Sequence, residues 1–280
     1  MSIKLNSYAK LNLALSINYK RIDGYHDISS IIQEIDFHDT LEISKNDLNQ
    51  INIISKGVKV PEDQSNLCYI AAKLFLNYYN ISDGVNIIIN KNIPIGAGLG
   101  GGSSNASSTL KGLYKLFNIK ISDNIFYQFC SLIGADVSFF YNGGTQYVEG
   151  IGDKVTSLPP LFRDYYFLLI FPSINISTPW AYGEYKKYLE NNLNEPKFLA
   201  LTSDMSINWS LLRNDFEKVV LSTYPEIKRI KSGLQKTQSL FSTLSGSGST
   251  MFGVYDNLES VKMANNLFKD FQTYISLPIN

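Results

Sequence analysis

Charge is scarce in this 280-residue chain: Asp, Glu, Lys and Arg make up 18% of it, below the roughly 25% of ordinary globular proteins. The 25 basic residues cancel the 25 acidic ones. A neutral chain without a Lys/Arg cluster lacks the electrostatic footprint of a nucleic-acid binder, so no such partner is expected. Two histidines are too few for a His-rich metal centre, and the metal ligands, if any, stay unknown at this level. The two cysteines, Cys68 and Cys130, fit neither a CxxC nor a zinc spacing, and a reducing compartment is the simple reading. No run approaches the ~18 apolar residues of a membrane-spanning helix; the densest, residues 165–171 (YYFLLIF), ends at Pro172 and reads as a buried strand. Lys4, Asn6, Lys10 and Asn12 interrupt the opening segment, which therefore lacks the continuous apolar stretch of a secretory signal. A cytoplasmic protein with no membrane partner is expected. What is present, 44% hydrophobic and 13% aromatic residues, excludes a disordered chain and can supply a sizeable core, with about two domains for this length.

Leu11, Leu13, Leu15 and Ile17 alternate, the period of a strand. A polar loop over 19–26 turns at Asp23-Gly24. Strands are expected over 28–37 and 40–44, separated by His38-Asp39, and again over 49–55. A helix over about 66–79 can be capped by Ser65. A β-branched strand at 85–89 leads into a glycine-rich segment, and a helix follows with Ala106, Leu110, Leu113, Tyr114 and Phe117 inward. Asp123 can cap a helix over 124–133 closed by Gly134. An aromatic strand should come next, then a turn at Asn142-Gly143-Gly144. The composition shifts at Pro159-Pro160, which sets domains of 1–158 and 159–280. The second half reads as a strand at 167–171, a helix at about 179–190, an Asn-rich loop over 191–196, and helices near Leu199 and Asp215. A β-turn-β unit at 244–255, a helix at 259–271 and a short strand complete an α+β chain.

The segment 95–106 (IGAGLGGGSSNA) is the strongest local signal. Gly98, Gly100, Gly101 and Gly102 let successive backbone N–H groups turn toward one set of oxygens without Cβ interference. The helix behind them adds unpaired donors and a partial positive charge, which suits phosphate. Ser103, Ser104 and Asn105 offer side-chain donors. Gly96-x-Gly98-x-x-Gly101 formally matches a dinucleotide fingerprint, but no acidic residue ends a second strand at the required distance. A Walker loop needs Gly-Lys-Ser/Thr, which is missing. A phosphate cradle of another kind is favoured over a loop that only packs.

The segment from Pro94 to Asn105 resembles the second motif of the GHMP kinases, Pro-x-x-x-Gly-Leu-Gly-[Gly/Ser]-Ser-Ser, with one extra glycine. Residues 7–13 (SYAKLNL) are similar to that family's first motif and residues 245–249 (SGSGS) to its third, in the family's order and over the whole chain. The resemblance implies a two-domain fold, a ribosomal-S5-like N-terminal domain and a ferredoxin-like C-terminal domain with the active site in the cleft between them. It implies ATP as phosphoryl donor, with Mg²⁺ expected alongside it, and a small-molecule alcohol as acceptor. Through residues 9–13 (AKLNL), Arg21-Ile-Asp-Gly-Tyr-His26, residues 98–106 (GLGGGSSNA) and Gly134-Ala-Asp-Val137, the resemblance implies CDP-methylerythritol, at its C2 hydroxyl, as that acceptor. A monomer or a homodimer is compatible with all of this.

Residue by residue, Lys10 would ordinarily be a surface strand lysine and Asp136 a solvated loop carboxylate. By resemblance they are the catalytic lysine and the base that accepts the alcohol proton. Asn12 lies two residues beyond Lys10, on the same strand face. Tyr25 and Tyr182 would stack on the two faces of a cytosine ring while His26 reads its edge; on composition alone, His26 is a structural histidine and Tyr182 a packing tyrosine. Thr178, Ser247 and Gly248 are expected near the substrate phosphates. Asn66, Leu67 and Lys91 match adenine-pocket positions, though Asn66 could end a helix and Lys91 sit in a turn. Pro94, Gly96, Gly98, Gly100, Gly101, Gly102, Ser103, Ser104 and Asn105 form the ATP loop, with Ser104 a weak metal candidate.

Overall fold

The computed structural model describes residues 1–190 and 207–280. Two compact units interleave along the chain. The first comprises Met1–Ala9, Phe37–Ile95 and Gly100–Asn142; the second comprises Lys10–Asp36, Gly96–Leu99 and Gly143–Asn280. Two long paired strands, β1 (Ser2–Lys20) and β2 (His26–Asn46), contribute residues to both.

The first unit continues with β3 (Ile51–Gly57), α1 (Leu67–Tyr78), β4 (Gly84–Lys91), α2 (Gly101–Leu116), α3 (Asp123–Ile133), a 3₁₀ turn at Ala135–Val137 and α4 (Phe139–Asn142). β4 runs parallel to β3, with Ile51 opposite Val85, and antiparallel to residues 40–46 of β2, with Leu41 opposite Ile89. Alternation along β4 puts Val85, Ile87 and Ile89 on one buried face. Helices α1 and α2 cover that face because Cys68, Ala71, Ala72 and Phe75 recur at helical spacing, as do Ala106, Leu110, Leu113 and Tyr114. Phe75 meets Tyr114 edge-on at 4.9 Å; burying each such ring stabilises by about 1.5–3 kcal/mol.

In the second unit, residues 28–33 of β2 pair antiparallel with β5 (Thr145–Gly150), which pairs with β6 (Lys154–Ser157). A separate antiparallel sheet is built from β7 (Tyr166–Phe171), β8 (Phe241–Leu244), β9 (Met251–Tyr255) and β10 (Gln272–Ser276), in the order β10-β7-β9-β8. Its interior strand β7 is buried from Phe167 through Phe171, which accounts for the continuous apolar run. Around it the unit carries α5 (Thr178–Glu190), α6 (Glu217–Thr223), α7 (Pro225–Leu234) and α8 (Leu258–Asn265). Both tryptophans belong here: Trp180 stands edge-on to Tyr224 at 5.4 Å and Trp209 to Tyr165 at 5.1 Å.

Several local expectations need correction. His38-Asp39 does not separate two strands; β2 runs through it, because the Asp39 side chain is buried and fully engaged rather than turned to water. The expected aromatic strand after residue 137 is the short helix α4, with Phe139 and Phe140 buried; three aromatics alone do not distinguish the two periods. Asn66, not Ser65, caps α1, its Oδ1 accepting from the Cys68 N–H at 2.8 Å, while Ser65 bonds Asp63. Ser122 is the cap position of α3 and Asp123 its first residue. The expected helix at 259–271 ends earlier, at Asn265, followed by a 3₁₀ turn at Asn266–Phe268. The Asn-rich loop at 191–196 and the helix near Leu199 lie outside the described residues. Among the described residues no helix is long and apolar enough to cross a membrane.

Candidate active site

Within the second unit, β1 delivers two polar side chains into a buried setting. Lys10 is 4% exposed and Asn12 is 3% exposed, so the surface-lysine reading of Lys10 fails. The Lys10 ammonium donates to Asn12 Oδ1. The Asn12 amide in turn donates to Ser30 Oγ at 2.9 Å, and Ser30 donates to the Ala14 carbonyl at 2.6 Å. A buried ammonium costs free energy unless polar partners meet it, and this chain of bonds fixes the rotamers that meet it.

The glycine loops of this unit pack on the same stretch of β1. Lys10 N–H donates to the Leu99 carbonyl at 3.0 Å, and Thr250 N–H donates to the Ala97 carbonyl at 3.2 Å. Ser245 Oγ donates to the Gly98 carbonyl at 2.8 Å and lies 3.4 Å from the Asn12 N–H. Gly98 has φ +77°, and a Cβ there would fall 1.9 Å from the Ser245 carbonyl oxygen. Only glycine permits that approach. Gly246, with φ +57°, places its Cβ direction 3.3 Å from Asn12 Oδ1 and 3.5 Å from the Lys10 ammonium. Ser247 shares a 2.8 Å hydroxyl–hydroxyl bond with Thr178, at the start of α5. Lys10, Asn12, Gly98, Ser245 and Gly246 therefore converge, and Thr178 and Ser247 form a second contact.

The expected base-binding residues also fall in this unit. His26 stacks on Tyr182 with ring centroids 4.7 Å apart and planes 14° from parallel. Tyr25 stands 63% exposed at the preceding turn. Burial, reinforced by the positive charges of Lys20 and Lys186, lowers the His26 pKa below its ordinary 6.5. At pH 7 the imidazole is thus neutral, with one nitrogen donating and the other accepting.

In the first unit, the start of α2 forms the other part of the glycine segment. Its N-cap, Gly100, is left-handed (φ 67°) and makes no side-chain capping bond. A helix start of that kind offers its first-turn N–H groups to an anion. Beneath it lies a network centred on Asp39, which is fully buried. Asp39 pairs with the Lys91 ammonium and accepts from Asn92 N–H (2.7 Å), Ile93 N–H (2.9 Å) and Asn105 Nδ2 (2.9 Å). The second Asn105 amide proton goes to Ser7 Oγ at 2.8 Å, and the Ser7 and Ser104 hydroxyls bond at 2.7 Å. Both amide protons of Asn105 are thus committed to the protein, and Lys91 is neutralised beside Gly101, whose Cβ direction ends 2.7 Å from its ammonium. Gly102 faces Leu67 at 3.5 Å by the same measure. Asp136 sits half-buried in the 3₁₀ turn after Gly134. Burial pushes the thiols of Cys68 and Cys130 up to about 12, so neither is a nucleophile at neutral pH. No group of three or more His, Cys, Asp or Glu side chains among the described residues could hold a metal ion.

Sequence reasoning missed Asp39, Ser7, Ser30, Ser245 and Asn214. Ser7 and Ser245 carried a signal, their places at the heads of the first and third motifs; the others are single polar residues inside strand or helix patterns.

A helix start stripped of side-chain caps, glycines closed on one another and a buried lysine–amide pair describe a phosphate-handling enzyme. The family description "GHMP kinases N terminal domain" matches residues 66–144, and "GHMP kinases C terminal" matches residues 191–271. The chain belongs to the GHMP kinase family, has its two-domain fold, and is a small-molecule kinase whose phosphoryl donor is ATP. Curated relatives named 4-diphosphocytidyl-2-C-methyl-D-erythritol kinase include one from Prosthecochloris aestuarii, 38% identical over 91% of this chain and 90% of its own length. Another, from Chlorobium limicola, is 36% identical over 99% of this chain and 98% of its own. A crystal structure of 4-(cytidine 5'-diphospho)-2C-methyl-D-erythritol kinase superposes with a TM-score of 0.82 at 25% identity, covering 99% of this chain and all of the other. Homoserine kinase from Cytophaga hutchinsonii shares the fold, with a TM-score of 0.77 at 18% identity over 99% of this chain and 95% of the other.

Proposed function

We propose that this enzyme transfers the γ-phosphoryl group of ATP to the C2 hydroxyl of 4-diphosphocytidyl-2-C-methyl-D-erythritol, a step of non-mevalonate isoprenoid precursor synthesis. The observation that carries the reading is identity of 36–38% to relatives of that name across at least nine-tenths of the chain. The transferred group passes through a loose transition state, so the protein contributes mainly placement and charge stabilisation. Backbone N–H groups from Gly96 to Ser103 hold the ATP phosphates, with Pro94 setting the entry of the loop. Lys10 steadies negative charge on the moving phosphoryl group, Asn12 fixes its ammonium, and Asp136 takes the proton from the acceptor hydroxyl. Asn66 and Leu67 border the adenine. Lys91, Ser104 and Asn105 support the loop through Asp39 and Ser7 instead of reaching for phosphate, since the Lys91 ammonium is paired with Asp39, the Ser104 hydroxyl bonds Ser7 and both Asn105 amide protons are taken. Thr178, Ser247 and Gly248 meet the substrate diphosphate. Mg²⁺ arrives with the phosphates of ATP. The described residues offer no carboxylate cluster to cage it, and the Ser104 hydroxyl is bonded to Ser7.

Exposed Tyr25 provides a flat surface for one face of the cytosine ring; Tyr182 and neutral His26, stacked on each other in the free protein, part to take its other face and its edge. A base–aromatic stack is worth about 1–3 kcal/mol. Tyr25→Ala should therefore raise the KM for the cytidine substrate about tenfold, within that range, and leave the KM for ATP unchanged. Equal losses for both ligands in steady-state kinetics would refute the stacking role. The overall reading is tested by ADP release in a coupled assay offering CDP-methylerythritol, mevalonate and homoserine in turn. Turnover confined to the first supports it; preference for either of the others replaces it with a different alcohol kinase of the family, and binding of ATP without turnover on any of them marks a non-catalytic nucleotide binder.

A further inference from the structure

We propose that Asn214 is a positioning residue for phosphoryl transfer, setting the third glycine loop against Lys10 and Asn12. The inference rests on the roles given above to those two residues, and all of its geometry lies within the second unit. Asn214 is 3% exposed and every hydrogen-bonding atom of its side chain is used. Its amide donates to the carbonyls of Leu244 (2.7 Å) and Gly246 (2.8 Å), and its Oδ1 accepts from Phe216 N–H at 3.0 Å. The neighbouring backbone hooks onto β1: Leu15 N–H donates to the Arg213 carbonyl (2.8 Å) and Asp215 N–H to the Leu15 carbonyl (2.9 Å). Asp215 Oδ2 then accepts from Ile17 N–H at 2.9 Å.

One short segment thus grips β1 three residues beyond Asn12 and, through a single side chain, grips the loop that faces Asn12. The loop needs such a grip. Gly246 and Gly248 both sit at positive φ, and inside the loop Gly248 N–H donates to the Ser245 carbonyl and Ser245 N–H to the Thr250 carbonyl, each at 2.9 Å. Ser245 Oγ to the Gly98 carbonyl, Thr250 N–H to the Ala97 carbonyl and Ser247 to Thr178 tie other points of the loop, while the glycines between them have little stiffness of their own. Pulling the Leu244 and Gly246 carbonyls toward Asn214 sets the loop so that the Cβ position of Gly246 falls 3.3 Å from Asn12 Oδ1 and 3.5 Å from the Lys10 ammonium. A misplacement of about 1 Å at reacting groups can cost about 10²-fold in rate.

The test is Asn214→Asp, which keeps the shape and the acceptor for Phe216 but aims a carboxylate oxygen at two carbonyl oxygens. Kinetics and calorimetric nucleotide binding are measured beside the wild type. The expected result is a fall in kcat of about 10- to 100-fold per nucleotide-binding site, with KM for both substrates within about threefold and binding stoichiometry retained. Unchanged kcat per binding site, with only fewer competent sites, means a purely structural residue and overturns the proposal. Should Asn214→Asp not fold, Gly246→Ala decides: it leaves Asn214 intact and presses a methyl toward Asn12 and Lys10, so a comparable loss of kcat supports control by loop placement and a wild-type kcat rejects it. A wild type that transfers no phosphoryl group to any of the three alcohols fails the functional reading itself, an outcome separate from either of these.

Discussion

Lys10→Met is expected to lower kcat by about 10²–10³-fold in a protein that still folds. Methionine keeps the unbranched apolar stem that lies buried along β1 and deletes only the ammonium. An ammonium preorganised in a dry setting acts on developing charge without the reorganisation that water would require. The structure supplies that preorganisation: Lys10 is nearly inaccessible, bonded to Asn12, and 3.5 Å from the Cβ position of Gly246. The stability cost should stay small, because Asn12 Oδ1 loses a donor, worth about 1–3 kcal/mol, while the desolvation penalty of a buried charge disappears. The coupled ADP assay and thermal denaturation together check this. A variant with more than a tenth of wild-type turnover would remove Lys10 from the chemistry, and one that is unfolded would show that the ammonium is needed for structure first.

Asp39→Ala should have the largest effect on stability. It strands a Lys91 ammonium whose side chain is 3% exposed and leaves Asn92 N–H, Ile93 N–H and one Asn105 amide proton without their acceptor. Breaking one side of a buried ion pair costs about 3–5 kcal/mol, a large share of a total stability of about 5–15 kcal/mol. The midpoint of thermal unfolding should drop by on the order of 10 °C, and the KM for ATP should rise, since Asn105 lies in the second turn of α2. Adding Lys91→Met should restore part of the loss by removing the uncompensated charge, though the two backbone donors remain unpaired. A single variant that melts within about a degree of wild type would show that Asp39 is not the keystone its contacts describe.

How far such residues could be foreseen depended on whether their signal was local. The run at 165–171 and the helical spacing of α1 are properties of adjacent residues, and both survive in the structure. Glycines before a helix start are equally local, which is why the phosphate loop stood out. Asp39 is the opposite case. A His-Asp pair inside an apolar alternation reads as a turn because an acid ordinarily seeks water, and the donors that hold it come from positions 52 to 66 residues later. Asn214 likewise acts on carbonyls 30 and 32 residues downstream. The interleaving of the two units escapes a linear reading for a related reason: β1 and β2 each carry residues of both, and no shift in composition marks the crossing.

The placement of the two tryptophans has a practical consequence. Trp180 and Trp209 are the whole indole complement of the chain, and both lie in the second unit. Trp180 is two residues from Thr178 and two from Tyr182 on the same helix, with Tyr224 against its ring. Intrinsic emission excited at the indole band is therefore a one-sided gauge: it reports events around α5 and the β7 sheet directly, while the surroundings of α2 and Asp39 are optically silent unless an indole is introduced there.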